Sequence, residues 1–134
     1  MNLGIVGSRS FRCNYDAEIR AKEIILSYIK SNNVNKLISG GADGPDKWAE
    51  DVAKENEVEI KVYLPNWDVY GKRAGFIRNK DIVEDTDLML GFWDGKSKGT
   101  NHDICIAHRQ NTPYVLFLWD KFKKEWRKSC TFNC

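Results

Sequence analysis

The sequence predicts an α/β domain, with five parallel strands in the order 3-2-1-4-5 and helices on both faces. Three observations lead to this class. Short apolar runs alternate with longer stretches whose apolar residues recur at helical spacing. The connections between them are short, as βα units require. Three of those connections, each following a strand, are rich in glycine or small polar residues.

The elements follow in chain order. Leu3-Gly4-Ile5-Val6 is a short apolar strand running into Gly7-Ser8-Arg9-Ser10-Phe11. Asn14 or Asp16 caps a helix that continues to about Ser31, with Ala17, Ala21, Ile24, Ile25, Tyr28 and Ile29 at helical spacing. Lys36 to Ser39 forms the second strand and ends in Gly40-Gly41. A second helix starts at Pro45, where the missing N–H costs nothing, and ends near Asn56. Its Trp48, Ala49, Val52 and Ala53 face inward, and Glu50 and Lys54 sit at i,i+4. Glu59 to Leu64 alternates charged and apolar residues as a third strand, and residues 65–71 read as an aromatic-rich loop. A third helix covers about Gly75 to Glu84. The run from Asp87 to Trp93 has the continuous apolar character of a buried parallel strand. Thr100 opens a fourth helix, closed by Pro113, and Tyr114 to Leu118 is the fifth strand. Together these units make a Rossmann-like three-layer sandwich with nearly obligatory right-handed crossovers.

The chain has 134 residues, enough for one domain with a continuous core. We assign residues 1–118 to that domain and residues 119–134 to a C-terminal amphipathic tail. In the tail Trp119, Phe122 and Trp126 recur at helical spacing among lysines, which predicts a short helix packed on the body. A basic aromatic patch for single-stranded nucleic acid is the alternative. The net charge of +2 is too mild to argue for nucleic acid by itself. No apolar window approaches a membrane span and the N-terminus lacks a signal layout, so we expect a cytoplasmic protein without membrane association. Cys13, Cys105, Cys130 and Cys134 match no metal-ligand spacing and read as free thiols; no metal or cofactor is expected.

The chemistry belongs at the carboxyl ends of the strands, where ligands meet parallel sheets at the reversal of strand order. Gly40 and Gly41 let the backbone approach a ligand, and the helix start behind them is an anion site. Gly7-Ser8-Arg9-Ser10 adds backbone access, two hydroxyls and a guanidinium able to clamp a phosphate, although Arg9 equally reads as a solvated loop residue. Ser97, Gly99 and Thr100 form a second candidate anion site, or an ordinary cap. Asp43, Asp46 and Asp94 are candidates for ribose hydroxyls or a cation, and otherwise turn residues. Trp67, Tyr70 and Trp93 are candidates for stacking a base. None of the glycine turns fits the dinucleotide fingerprint or the P-loop, which disfavours a nicotinamide dehydrogenase and a P-loop hydrolase.

Four strings carry a family resemblance: Gly7-Ser8-Arg9-Ser10-Phe11; Ser39-Gly40-Gly41-Ala42-Asp43-Gly44-Pro45-Asp46; Trp67-x-x-Tyr70-Gly71-Lys72-x-Ala74-Gly75-x-x-Arg78-Asn79; and Phe92-Trp93-Asp94-Gly95-x-Ser97-x-Gly99-Thr100. In this order they resemble the SLOG superfamily, specifically its YspA/YpsA-related branch, over roughly residues 3 to 118. The resemblance implies a nucleotide-binding domain that self-associates into a homo-oligomer, from a bacterium or a phage. Relatives include sensors of ADP-ribose-like messengers, the lonely-guy phosphoribohydrolases, and DNA-processing protein A, which binds single-stranded DNA. It implies a ligand site of Gly7, Ser8, Arg9, Ser10, Gly40, Gly41, Asp43, Asp46, Arg78, Asn79, Trp93, Ser97, Gly99 and Thr100.

Gly99-Thr100-Asn101-His102-Asp103 answers part of the phosphoribohydrolase motif P-G-G-x-G-T-x-x-E, and Arg78 answers its arginine. Arg78 and Asp103 are therefore the catalytic candidates for N-glycosidic cleavage. The Pro-Gly-Gly run is missing, however, and aspartate replaces glutamate. With Thr100 as N-cap, Asp103 would instead close a capping box. The leading expectation is a binder of a small nucleotide-type ligand, used as sensor or sponge. An N-glycosidase is the first alternative and single-stranded nucleic-acid binding the second.

Overall fold

The computed structural model describes residues 1–129; Cys130, Cys134 and the rest of the tail end lie outside them. In chain order the elements are β1 (Asn2–Gly7), α1 (Tyr15–Ser31), β2 (Lys36–Ser39), α2 (Pro45–Glu55), β3 (Glu59–Val62), α3 (Trp67–Tyr70), α4 (Ala74–Glu84), β4 (Leu88–Trp93), α5 (Lys98–Arg109), β5 (Tyr114–Asp120) and β6 (Glu125–Lys128). One six-stranded sheet runs β3-β2-β1-β4-β5-β6, parallel throughout except for the last pair. Strand order reverses between β1 and β4, so their carboxyl ends frame the switch point.

Successive strand residues point to opposite faces, and each face has its own core. On one side Leu3, Ile5, Leu37, Leu90 and Phe92 pack against α1 and α2 through Ala17, Ala21, Ile25, Trp48 and Ala49. On the other, Val6, Ile38, Met89 and Leu116 meet Ile82 and Val83 of α4 and Ile104 and Ala107 of α5. The helix starts follow the local chemistry. Asn14 accepts a hydrogen bond from the Ala17 N–H at 3.1 Å, as a capping amide should. Gly44 sits at φ 90°, ψ −135°, conformational space that belongs to glycine, and hands the chain to Pro45.

Three expectations are corrected. The tail does not begin with a helix: β5 continues through Trp119 and Asp120, and residues 125–128 return as an antiparallel sixth strand. Trp119 pairs directly with Trp126 across that hairpin. An i,i+7 pair shares a helix face, but it also shares a sheet face across a tight turn. Asp120 decides between the two readings: its Oδ1 accepts from the N–H groups of Phe122 and Lys123, making the turn. Phe122, expected on the buried face, stands 88% exposed at the tip. Trp126 is buried, donates its indole N–H to the Ala17 carbonyl at 2.9 Å, and packs edge-on to Phe11 and Phe92.

The second correction concerns residues 65–71, which hold a one-turn helix, α3, capped by Asn66. The third concerns Glu50. Its carboxylate is buried and accepts from the Ser39 hydroxyl at 2.8 Å, rather than pairing with Lys54 on the surface. Among the described residues no helix is long and apolar enough to cross a membrane.

Candidate functional site

Three turns build the site at the carboxyl edge. Ser8 stitches the first to the third: its N–H donates to the Phe92 carbonyl, and its Oγ accepts from the Asp94 N–H, both at 3.0 Å. Asp94 in turn organises the loop after β4. Its Oδ1 accepts from the Lys96 and Ser97 N–H groups, and its Oδ2 accepts from the Ser10 hydroxyl. Burial alone would raise the Asp94 carboxyl, but those donors outweigh it and hold the group below the ordinary value. The turn after β2 is braced by Ser39, whose Oγ accepts from the Gly41 N–H at 3.0 Å.

Between the turns lies a polar pocket of about 180 Å³ lined by Gly7, Arg9, Gly40, Asp46, Arg78, Asn79, Ser97, Gly99, Thr100 and Asp103. Arg78 crosses it from α4. Its Nη1 donates to the Gly40 carbonyl at 2.9 Å and to the Tyr63 carbonyl at 3.4 Å, and its Nε donates to Asn79 Oδ1 at 3.0 Å. This contact explains Gly40. A Cβ there would lie 2.9 Å from Arg78 Nη1 and 3.1 Å from Asp46 Oδ2.

Two carboxyl groups are sunk into the same pocket. Asp46 Oδ2 accepts from the Ala42 N–H at 3.1 Å, while Asp46 Oδ1 and Asp103 Oδ1 have no protein partner. Burial pushes Asp46 up to about 7, against the Ala42 hydrogen bond and the Arg78 charge. Burial, reinforced by Asp46, raises Asp103 well above the carboxylate range. Both neighbouring acids thus hold their protons more tightly than solvated carboxyls do, and Asp46 lies near its midpoint at neutral pH.

The pocket opens into a wider cleft of about 490 Å³, which shares Arg9, Gly40, Arg78, Asn79 and Gly99 with it. The outer wall adds Gly41, Leu64, Pro65, Trp67, Lys72, Phe76 and Lys98. Trp67 is 58% exposed, so its ring face is available to a planar ligand. Arg9, Lys72 and Lys98 are exposed cations on three different elements. The first-turn N–H groups of α5, which have no intrahelical acceptor, begin where Ser97, Gly99 and Thr100 line the pocket.

Most of the sequence-predicted residues thus converge on one cavity. Ser8 and Ser10 brace the turns instead of lining it. Asp43 is exposed and outside both cavities. Trp93 donates its indole N–H to the Ser97 carbonyl at 3.0 Å and lines neither cavity. The capping-box reading of Asp103 is corrected: Ser97 is the N-cap, Thr100 stands at the third helical position, and Asp103 lies a turn deeper. Lys98 and Leu64 were missed, since an exposed lysine and a strand-end leucine carry no motif. Among the described residues no group of three or more His, Cys, Asp or Glu side chains is placed to hold a metal ion, and Cys13 and Cys105 are unbridged.

No protein-family model matches the chain. By sequence it is 32% identical over 87 residues to the gene 61 protein of Mycobacterium phage D29, a match covering 60% of this chain and 70% of that one. The chain belongs to the family of that phage protein. Among solved structures it superposes on DNA processing protein A from Streptococcus pneumoniae with a TM-score of 0.67 at 17% identity, over 89% of this chain and 50% of that one. The corresponding protein from Helicobacter pylori, described with a single-stranded DNA binding mode, gives 0.67 at 18% over 90% and 66%. A molybdenum cofactor binding protein from Rippkaea orientalis gives 0.69 at 18% over 92% and 78%. The chain therefore spans half to two thirds of the DNA processing proteins. These neighbours show a Rossmann-like three-layer α/β fold.

Proposed function

We propose that the chain binds a nucleotide or a nucleotide-derived, ADP-ribose-like ligand at this edge, as a sensor or sponge. The observation that carries the reading is the pairing of two unlike compartments through shared walls. The inner one offers two buried carboxyl oxygens without partners. Such atoms suit the hydroxyl groups of a ribose, which both donate and accept. The outer one offers cations and an exposed indole, which suit phosphate and a base. Arg78 and Asn79 border both. A phage relative is consistent with a role in conflict between phage and host.

A second reading, N-glycosidic cleavage, is favoured by the two buried acids facing one pocket. Water would bond to the anomeric carbon as its bond to the base nitrogen breaks. Protonated Asp103 would supply the base with a proton, and Asp46 would accept one from water. The discriminating experiment incubates near-stoichiometric protein with AMP, GMP, NAD, ADP-ribose and cyclic ADP-ribose, followed by chromatography before and after heat release. A binder removes one ligand class and returns it intact, and Arg9→Ala weakens that removal. Free base in solution, lost in Asp103→Asn with the fold retained, makes the protein a hydrolase. If the whole panel stays in solution uncut, the reading falls.

A further inference from the structure

The Arg78 guanidinium is held by a chain of hydrogen bonds that leaves the pocket and ends in a groove on the far side of α4 and α5. Arg78 Nε lies 3.0 Å from Asn79 Oδ1, and Asn79 Nδ2 lies 3.1 Å from His102 Nδ1. Asn79 is 5% exposed, so water has little access to replace either bond. His102 is fixed from its other side by the Phe76 ring, edge-on at 4.7 Å.

Donor and acceptor counting fixes every proton in this chain. The Arg78 Nε–H can only donate, so Asn79 must present its oxygen there. Its amide NH₂ then faces His102 Nδ1, which must offer a lone pair. The imidazole is therefore neutral, with its proton on Nε2. We propose that His102 is a positioning residue for Arg78, setting the direction of the guanidinium through the Asn79 amide. The remaining anchors of Arg78, the Gly40 and Tyr63 carbonyls, both bind Nη1 and leave the group free to swing about that edge. Nη2 has no hydrogen-bond partner among the described residues and is the edge left for a ligand.

The arrangement responds to acid in a defined direction. Protonated His102 would present an N–H to the Asn79 NH₂, donor against donor. Flipping the amide mends that contact but turns the NH₂ onto the Arg78 Nε–H, so one bond is lost in either state. The surroundings favour the neutral ring. Burial, with the charge of Arg109 on the same helix, holds His102 below its ordinary 6.5. Arg73, which precedes α4, and Lys80 within it line the same groove, and no acid does.

The test has two arms, of which only the second rests on the proposed ligand site. In ligand-free protein, nitrogen NMR follows the His102 ring and the Arg78 Nε–H from about pH 8 to pH 5. The expected result is the Nε2–H tautomer at neutral pH, with Arg78 Nε–H losing its exchange protection at the midpoint of His102. His102→Asn, whose Oδ1 can stand where Nδ1 stood, keeps Arg78 protected at every pH, and His102→Leu loses protection throughout. In the second arm, ADP-ribose affinity falls about tenfold in His102→Leu and is restored in His102→Asn, the loss of one buried hydrogen bond. The His102→Asn profile also lacks the acid limb that His102 gives the wild type, while Asp46 titrates in every variant. A ring protonated on Nδ1 at neutral pH, or an Arg78 signal indifferent to His102→Leu, overturns the proposal. If ADP-ribose binds to no variant, the ligand reading fails and the first arm still decides the relay.

Discussion

Two polar clusters lie on this fold and treat their carboxylates in opposite ways. Near the start of β1, Asp85 accepts from Asn2 Nδ2 at 3.1 Å and from the Tyr63 hydroxyl at 2.9 Å, with Lys61 Nζ at 3.7 Å. Asp87 accepts from the Asn2 N–H at 2.7 Å. Both acids are within reach of solvent. At the carboxyl edge, Asp46 and Asp103 are 6% and 7% exposed, and each keeps one oxygen without a partner. The first cluster ties α4 and β3 to the first strand and serves the fold. The second works against the fold, since an unpartnered buried carboxyl costs free energy that nothing in the chain returns. Such a cost is commonly found where a ligand completes the hydrogen bonding.

The sharpest way to break the contrast is Asp46→Asn. The wild-type carboxyl moves from an ordinary 3.8 to about 7 on folding. Between those values the unfolded chain has released a proton that the folded one retains. This group's contribution to stability is therefore complete below about 3.8 and is lost as pH rises through about 7. The loss is on the order of 4 kcal/mol at higher pH. Asp46→Asn should accordingly be more stable than wild type to urea at about pH 8, by roughly 2–4 kcal/mol, with the gap closing towards pH 4. Equal stability at all pH values would mean that Asp46 is solvated.

Asp85→Asn probes the other cluster with a smaller effect of opposite sign, about 1–2 kcal/mol of destabilisation at neutral pH by the same urea assay. A gain in stability there would erase the distinction between the clusters. Lys61→Ala should leave the urea midpoint unchanged, because an exposed ion pair contributes little.

The contrast was only half readable in the sequence. Alternating apolar runs and helix starts such as those at Asn14 and Pro45 mark the parallel elements, because local pattern and tertiary burial agree there. The hairpin was misread because Trp119 and Trp126 satisfy two periodicities, and only the turn at Asp120 separates them. Glycine turns located the edge. Asp46 and Asp103 were picked out as residues, yet their unpaired oxygens are a property of packing: Asp103 is one turn deeper in α5 than the capping motif suggests. The Arg78–Asn79–His102 chain joins two helices through side chains, and no spacing in the sequence announces it.

The most direct test of the central claim is a titration of isotope-labelled protein with ADP-ribose, following backbone amides and arginine side chains. The account predicts saturable shifts gathered at Gly40, Gly41, Arg78 and Gly99, with the Asn2–Asp85–Asp87 cluster silent. Shifts confined to the β5–β6 hairpin, or none at millimolar ligand (on the order of the weakest specific affinities), would contradict it.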